Sequence, residues 1–159
     1  MKKRIKFLFL IALVFILMSA CAARRSPLQC NTYVINQMSK QRVYLPQANA
    51  NGLDNYMSKS SNWKKIPRLS NKKLNHKEAH KLVRAGKIVI VTYNTHSKRS
   101  GHIALLAGKR FMYWSQGFKA DVPYVDGSLN GKPASITPLS HQFSPNKEPN
   151  MNYFVYAKR

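Results

Sequence analysis

Cys30 and His102 are the two residues of this 159-residue chain whose types and settings suit nucleophilic chemistry. Cys30 immediately precedes a segment, Asn31 to Met38, in which Tyr33, Val34 and Met38 recur at helical spacing, with Asn31 and Thr32 available as caps. At a helix start the unpaired amide donors and the positive end of the dipole favour thiolate over thiol. A nucleophile needs that depression, and a base nearby to hold the proton. His102 follows Gly101 and opens the short apolar run HIALLA, where a strand end projects an imidazole with fixed geometry. Helix and sheet must pack together in one domain, which would join these two ends as a thiolate–imidazolium pair. Read singly, Cys30 is also a buried small hydrophobe or one half of a bridge to Cys21, nine positions away. A lone histidine at a strand end is more often structural.

The remaining candidates have plainer explanations. His76 and His80 lie one helical turn apart, but Glu78 between them makes H-x-E-x-H, not the H-E-x-x-H of zinc peptidases. With no third ligand in view, a solvated helix face is expected there, and no metal or other cofactor. His96 and His141 fall in predicted loops and are expected at the surface. Tyr93, Tyr113 and Trp114 are expected in the core, whereas Trp63 and Tyr56 suit either a core or a groove for sugar or peptide.

The elements that must position Cys30 and His102 follow from period and punctuation. Pro46 closes the first helix region, and Leu53, Tyr56 and Met57 suggest a second short helix ending before Trp63. The third helix carries Asn75 as N-cap, Glu78 three residues on, the apolar Ala79, Leu82 and Val83, and Gly86 as its stop. Lys87 to Tyr93 is short and β-branched, a strand buried on both faces. His102 to Ala107 and Arg110 to Ser115 read as two more strands joined by a tight turn at Gly108-Lys109. Asp121 to Pro149, rich in Gly, Pro, Ser and Asn, reads as loop with one helical turn, and Asn152 to Ala157 as a last strand. Helices first and an antiparallel sheet afterwards make an α+β pattern.

Composition narrows the class. Lys and Arg number 27 against 5 Asp and Glu, a formal charge of +22, while hydrophobic residues make up 44% of the chain. That is enough for a core, so a disordered basic tail is excluded, as length excludes a large multidomain enzyme and two cysteines exclude a disulfide-stapled miniprotein. Residues 1–20 resemble a secretory signal: basic Lys2, Lys3, Arg4 and Lys6, an apolar run from Phe7 to Met18, then Ser19 and Ala20. Met18-Ser19-Ala20-Cys21 resembles a bacterial lipoprotein box, which would lipidate Cys21; Ala20-Cys21-Ala22 also suits ordinary cleavage after Ala22. Loss of residues 1–20 leaves +18 from 23 basic and 5 acidic groups. An exported, periplasmic or cell-envelope protein of that charge is expected to associate with anionic lipid or the carboxylate-bearing wall, unless the basic surface is merely solvated. Its basic residues are scattered and no nucleic-acid motif accompanies them, so nucleic acid is not expected. Residues 22–28 form a short tether, and 29–159 one domain, expected to be a monomer.

Two short motifs carry a family resemblance. Gln29-Cys30-Asn31-Thr32-Tyr33-Val34 resembles the Q-C-x-x-Y-V signature of the CHAP domain, a cysteine- and histidine-dependent amidohydrolase/peptidase. Gly101-His102-Ile103-Ala104 resembles the G-H-[IV]-A strand shared by CHAP and NlpC-type hydrolases. The resemblance implies a papain-like fold, N-terminal helices packed on an antiparallel sheet, and cleavage of peptidoglycan amide bonds by an exported enzyme. It implies Cys30 as nucleophile and His102 as general base, then acid. Gln29 and the Cys30 backbone amide would polarise the scissile carbonyl. The third member departs from the pattern, because no Asp or Glu lies between His102 and Asp121. Gln116, with Ser115 as alternate and Asp121 as outsider, is expected to hold the imidazole. Two rivals share this shell: a non-catalytic module gripping wall or anionic lipid, and an amidase toxin delivered to competitors.

Overall fold

The structure, a computed structural model, describes residues 29–97, 101–129, 132–133 and 136–158. The expected signal segment, Cys21 and the tether lie outside these. Helix α1 (Cys30–Lys40) buries Val34, Ile35 and Met38, and α2 (Ala50–Lys59) buries Leu53 and Met57, capped by Asn49 accepting from the Gly52 amide. Strand β1 (Trp63–Lys65) follows, then α3 (His76–Arg84), which starts as expected with the Asn75 side chain accepting from Glu78 N. Gly86, at φ +79°, takes the left-handed conformation just past its end. Strands β2 (Val89–Tyr93) and β3 (His102–Ala107) form the middle of the sheet.

Beyond β3 the chain departs from expectation. Strand β4 is only Tyr113–Ser115 and pairs with β5 (Ala120–Val122) in a separate two-stranded sheet, so the hairpin expected at Gly108-Lys109 does not form. The edge of β3 is taken by β6 (Tyr124–Asp126), registered Leu105↔Asp126 and Leu106↔Val125. Val125 is fully buried, whereas Phe111, Tyr113 and Trp114 are exposed, so β6 supplies the apolar residue that this edge requires. The stretch read as loop also contains β7 (Ser128–Leu129), β8 (Lys132–Pro133), β9 (Thr137–Pro138), helix α4 (Leu139–Gln142) and a 3-10 turn, Pro145–Asn150. Elements of two to four residues are too short to express a period. The last strand, β10 (Met151–Tyr156), completes a six-stranded antiparallel sheet ordered β1-β10-β2-β3-β6-β9.

Two apolar layers cover this sheet. Ile90, Ile103, Leu105 and Phe154 point toward α1 and α2. Val89, Val91, Ala104, Leu106 and Tyr153 point to the other side, against Ala79 of α3 and against Leu139 and Phe143. The fold is therefore α+β with an antiparallel sheet between helical layers. Trp63 belongs to the first layer, tilted against Tyr156 at 5.1 Å between ring centroids.

His76 is not on a solvated face. It is buried against Phe118, and its Nδ1 lies 2.8 Å from the hydroxyl of the wholly buried Tyr153. His80 bonds the Lys109 carbonyl at 2.8 Å. Burial, and secondarily the Lys73 charge, pushes the His76 imidazole down to about 4. Between pH 6.5 and 4 the unfolded chain therefore binds a proton that the folded one refuses. Stability is lost as pH falls through that window, by about 3 kcal/mol. Urea unfolding of the native protein and of His76→Gln should show the gap between them shrinking by that amount from pH 7.5 to pH 4. A gap independent of pH would refute the assignment.

Candidate active site

Gln29, in extended conformation, is the N-cap of α1, and its carbonyl accepts from the Tyr33 amide. Cys30 is thus the first helical residue rather than the one before it. No side chain caps this end: Asn31 instead donates from Nδ2 to the Ala48 carbonyl, 2.9 Å away. One turn on, the Tyr33 hydroxyl donates to Asp126 Oδ1 at 2.7 Å, fastening α1 to β6. Burial and the Asp126 carboxylate push that phenol up to about 12.

The backbone N–H groups of Ile103, Asn31 and Cys30 itself act on the Cys30 thiol. Each favours the thiolate, yet burial of the half-exposed side chain outweighs them and the thiol is pushed up. This corrects the depression expected from the helix terminus alone: the dipole is present, but desolvation is the larger effect.

His102 faces Tyr93 across β2 and β3. Its entry is constrained by Gly101, where a Cβ would lie 1.9 Å from the Tyr93 carbonyl oxygen and 2.6 Å from Asn51 Oδ1. Asn51, on the first turn of α2, donates to Thr95 Oγ1 (2.8 Å) and accepts from the Thr95 amide (3.1 Å), tying the segment after β2 to that helix. The His102 Nε2 is 3.3 Å from Gln142 Oε1, and Gln142 Nε2 donates to Thr137 Oγ1 at 3.2 Å. Because Oε1 can only accept, the ring proton belongs on Nε2 and Nδ1 is the basic nitrogen. Gly127 makes room for this contact, since a Cβ there would come within 2.8 Å of Oε1. Phe143 backs the ring at 4.8 Å between centroids. Burial lowers the imidazole's affinity for a proton; the Gln142 bond partly restores it, and the Lys147 charge lowers it further. The resting pair is therefore neutral thiol and neutral imidazole.

Gln142, not Gln116, holds the imidazole. Gln116 is exposed at the end of β4, and Ser115 is buried with its Oγ accepting from the Phe118 amide at 3.4 Å. Asp121 is exposed on β5. All three belong to the hairpin region that does not pair with β3, which is why proximity in sequence misplaced the third residue. A neutral amide was the expected chemistry. Its position had no local signal, because α4 is four residues long within a stretch lacking any period. Cys30 packs against the layer of Ile103 under α1 and α2, whereas the His102 ring rests on Phe143 of the other layer, and no hydrogen bond joins Sγ to the ring. Gln29 is exposed. Tyr93 is half-buried, Tyr113 and Trp114 are exposed rather than core, and His96 and His141 lie at the surface. Among the described residues no three of His, Cys, Asp or Glu cluster as metal ligands. No protein-family model and no curated protein matches the chain.

Proposed function

We propose that this chain is a papain-like cysteine hydrolase of the CHAP/NlpC type that cleaves amide bonds in peptidoglycan, exported to the cell envelope and anchored by lipid on Cys21. The observation that carries the proposal is the setting of Cys30: a thiol on the first turn of a helix that packs against the strand opened by an amide-bonded histidine. The neutral pair defines the order of events. Nδ1 of His102 takes the thiol proton as sulfur attacks the scissile carbonyl, and first-turn amides of α1 stabilise the oxyanion. The imidazolium then protonates the departing amine. Water, deprotonated by His102, hydrolyses the thioester and releases the acid and the free thiol. The basic surface would hold the anionic wall.

The test is incubation of isolated sacculi with native protein and with Cys30→Ala, reading released fragments by mass spectrometry. New termini from the native protein alone support the hydrolase, and their chemistry identifies the bond. A second assignment, a non-catalytic wall-binding module, draws on the exposed Phe111, Tyr113 and Trp114 beside Arg110 and Lys109. It predicts that both proteins sediment with sacculi and neither releases fragments.

A further inference from the structure

Between the segment leading into α3 and the β4–β5 hairpin lies a cleft of about 500 Å³, lined by neither Cys30 nor His102. Both of its walls are held in place. On one side the Leu69 amide donates to the Lys73 carbonyl at 3.0 Å, and Glu148 Oε1 accepts from the Leu74 amide at 2.9 Å. On the other, Trp114 of β4 pairs directly with Asp121 of β5, so indole and carboxylate share one face of the hairpin. The indole lines the cleft yet stays 58% exposed, a flat apolar surface with nothing stacked on it. The most buried polar residue of the lining is His76, 6% exposed. Its Nδ1 meets the Tyr153 hydroxyl, which has no other partner among the described residues. A wholly buried O–H has to donate, so it donates to Nδ1 and the ring proton sits on Nε2. Nε2 meets no acceptor among the described residues, and no fully enclosed side-chain nitrogen there lacks a partner. The Nε2–H therefore opens onto the cleft.

The rim carries both signs. Lys73, Lys77 and Lys119 are exposed and form no ion pair among the described residues, and neither does Asp121. Asp121 would repel an anion, and an apolar ligand would strip water from these groups without replacing it. A sugar uses all of them: a C–H face for the indole, and hydroxyls that donate to Asp121 and accept from the lysines. The single donor at depth is more selective. A hydroxyl there would leave its own proton without an acceptor, whereas a carbonyl oxygen needs only to accept. We propose that this cleft binds a pyranose sugar bearing an N-acetyl group. The ring stacks on Trp114, its acetamido oxygen accepts from His76 Nε2–H, and its hydroxyls meet Asp121 and the lysines. The site is separate from the candidate active site and does not depend on the hydrolase assignment.

Titration of the isotope-labelled protein with triacetylchitotriose and with cellotriose, followed by NMR, tests this. The two sugars share one ring geometry and differ in acetamido against hydroxyl at the second ring carbon. Triacetylchitotriose should shift the Trp114 indole N–H and the His76 and Lys77 amides saturably, while the indole of the buried Trp63 stays still. Cellotriose should bind about tenfold more weakly, since it lacks the carbonyl that His76 would donate to. Trp114→Ala, a change at an exposed side chain, should weaken triacetylchitotriose by about tenfold or more at the Lys77 amide, with the resonances of β2 and β3 unmoved. No shift at Trp114 with about 10 mM triacetylchitotriose, a concentration that would detect even millimolar binding, overturns the inference. Equal affinity for the two sugars, or undiminished binding by Trp114→Ala, overturns it as well. Because neither sugar carries a peptide, these outcomes are independent of whether sacculi are digested.

Discussion

For the proposed hydrolase, replacing His102 with alanine should lower kcat/KM on soluble peptidoglycan fragments by about three to four orders of magnitude. Cys30→Ala should lose as much, and the double variant little more, because nucleophile and base act as one unit. Gln142→Ala should lose less, about ten- to a hundredfold, since it removes one hydrogen bond to a ring that becomes charged during the reaction. As a positioning residue Gln142 has a second signature. Burial holds the His102 imidazole below its ordinary value, so the acid limb of the native rate profile should fall below pH 6.5. The Gln142 bond raises the imidazole, so Gln142→Ala should move that limb to still lower pH. Lys147→Met should move it upward, because the lysine's charge opposes protonation. Gln116→Ala, in an exposed hairpin, should change neither rate nor profile. Equal losses from Gln116→Ala and Gln142→Ala would sink the assignment of the third residue.

Asp54→Ala should destabilise the fold by about 3–5 kcal/mol, the largest single loss of stability expected outside the apolar core. Asp54 is buried on α2 and accepts from three side chains: the Thr92 hydroxyl, Asn94 Nδ2 at 3.1 Å and Asn152 Nδ2 at 2.9 Å. These donors lie on or just past β2 and β10, so one carboxylate fastens a helix to two strands. Alanine would leave the buried Thr92 hydroxyl without its acceptor, and Asn94 Nδ2 with only the longer contact to Asn55 Oδ1 at 3.4 Å, in an interior that excludes water. Asp54→Asn retains the volume and one acceptor oxygen but turns an amide toward donors, so its loss should be intermediate. Urea unfolding of the three proteins measures this through the midpoint, with an unchanged slope. An Asp54→Ala midpoint equal to that of native protein would show that the network contributes nothing. Because Asn51 on the same helix holds Thr95, loosening α2 should also disturb the approach to His102.

Much of the scaffold was legible in the chain. Asn75, Glu78 and Gly86 delimit α3 because capping and left-handed termination are local chemistry, requiring only neighbours within a turn. The β-branched run through Val89 and Ile90 declares a strand covered on both faces, and the α+β order follows from where the period changes. The types and settings of Cys30 and His102 single them out, since a helix start and a strand start are each visible within a few residues.

What required tertiary structure was everything decided by distant partners. The third residue at the imidazole is Gln142 because β6 claims the edge of β3, turning the hairpin of Gln116 away and bringing α4 around to Phe143 and His102. His76 is a buried partner of Tyr153, 77 positions away, although its own helix face reads as polar. The thiol is raised rather than lowered because the helix dipole is a local property, whereas desolvation depends on all that packs around the sulfur. Short-range order is written in spacing; burial and long-range pairing are settled only when the sheet closes.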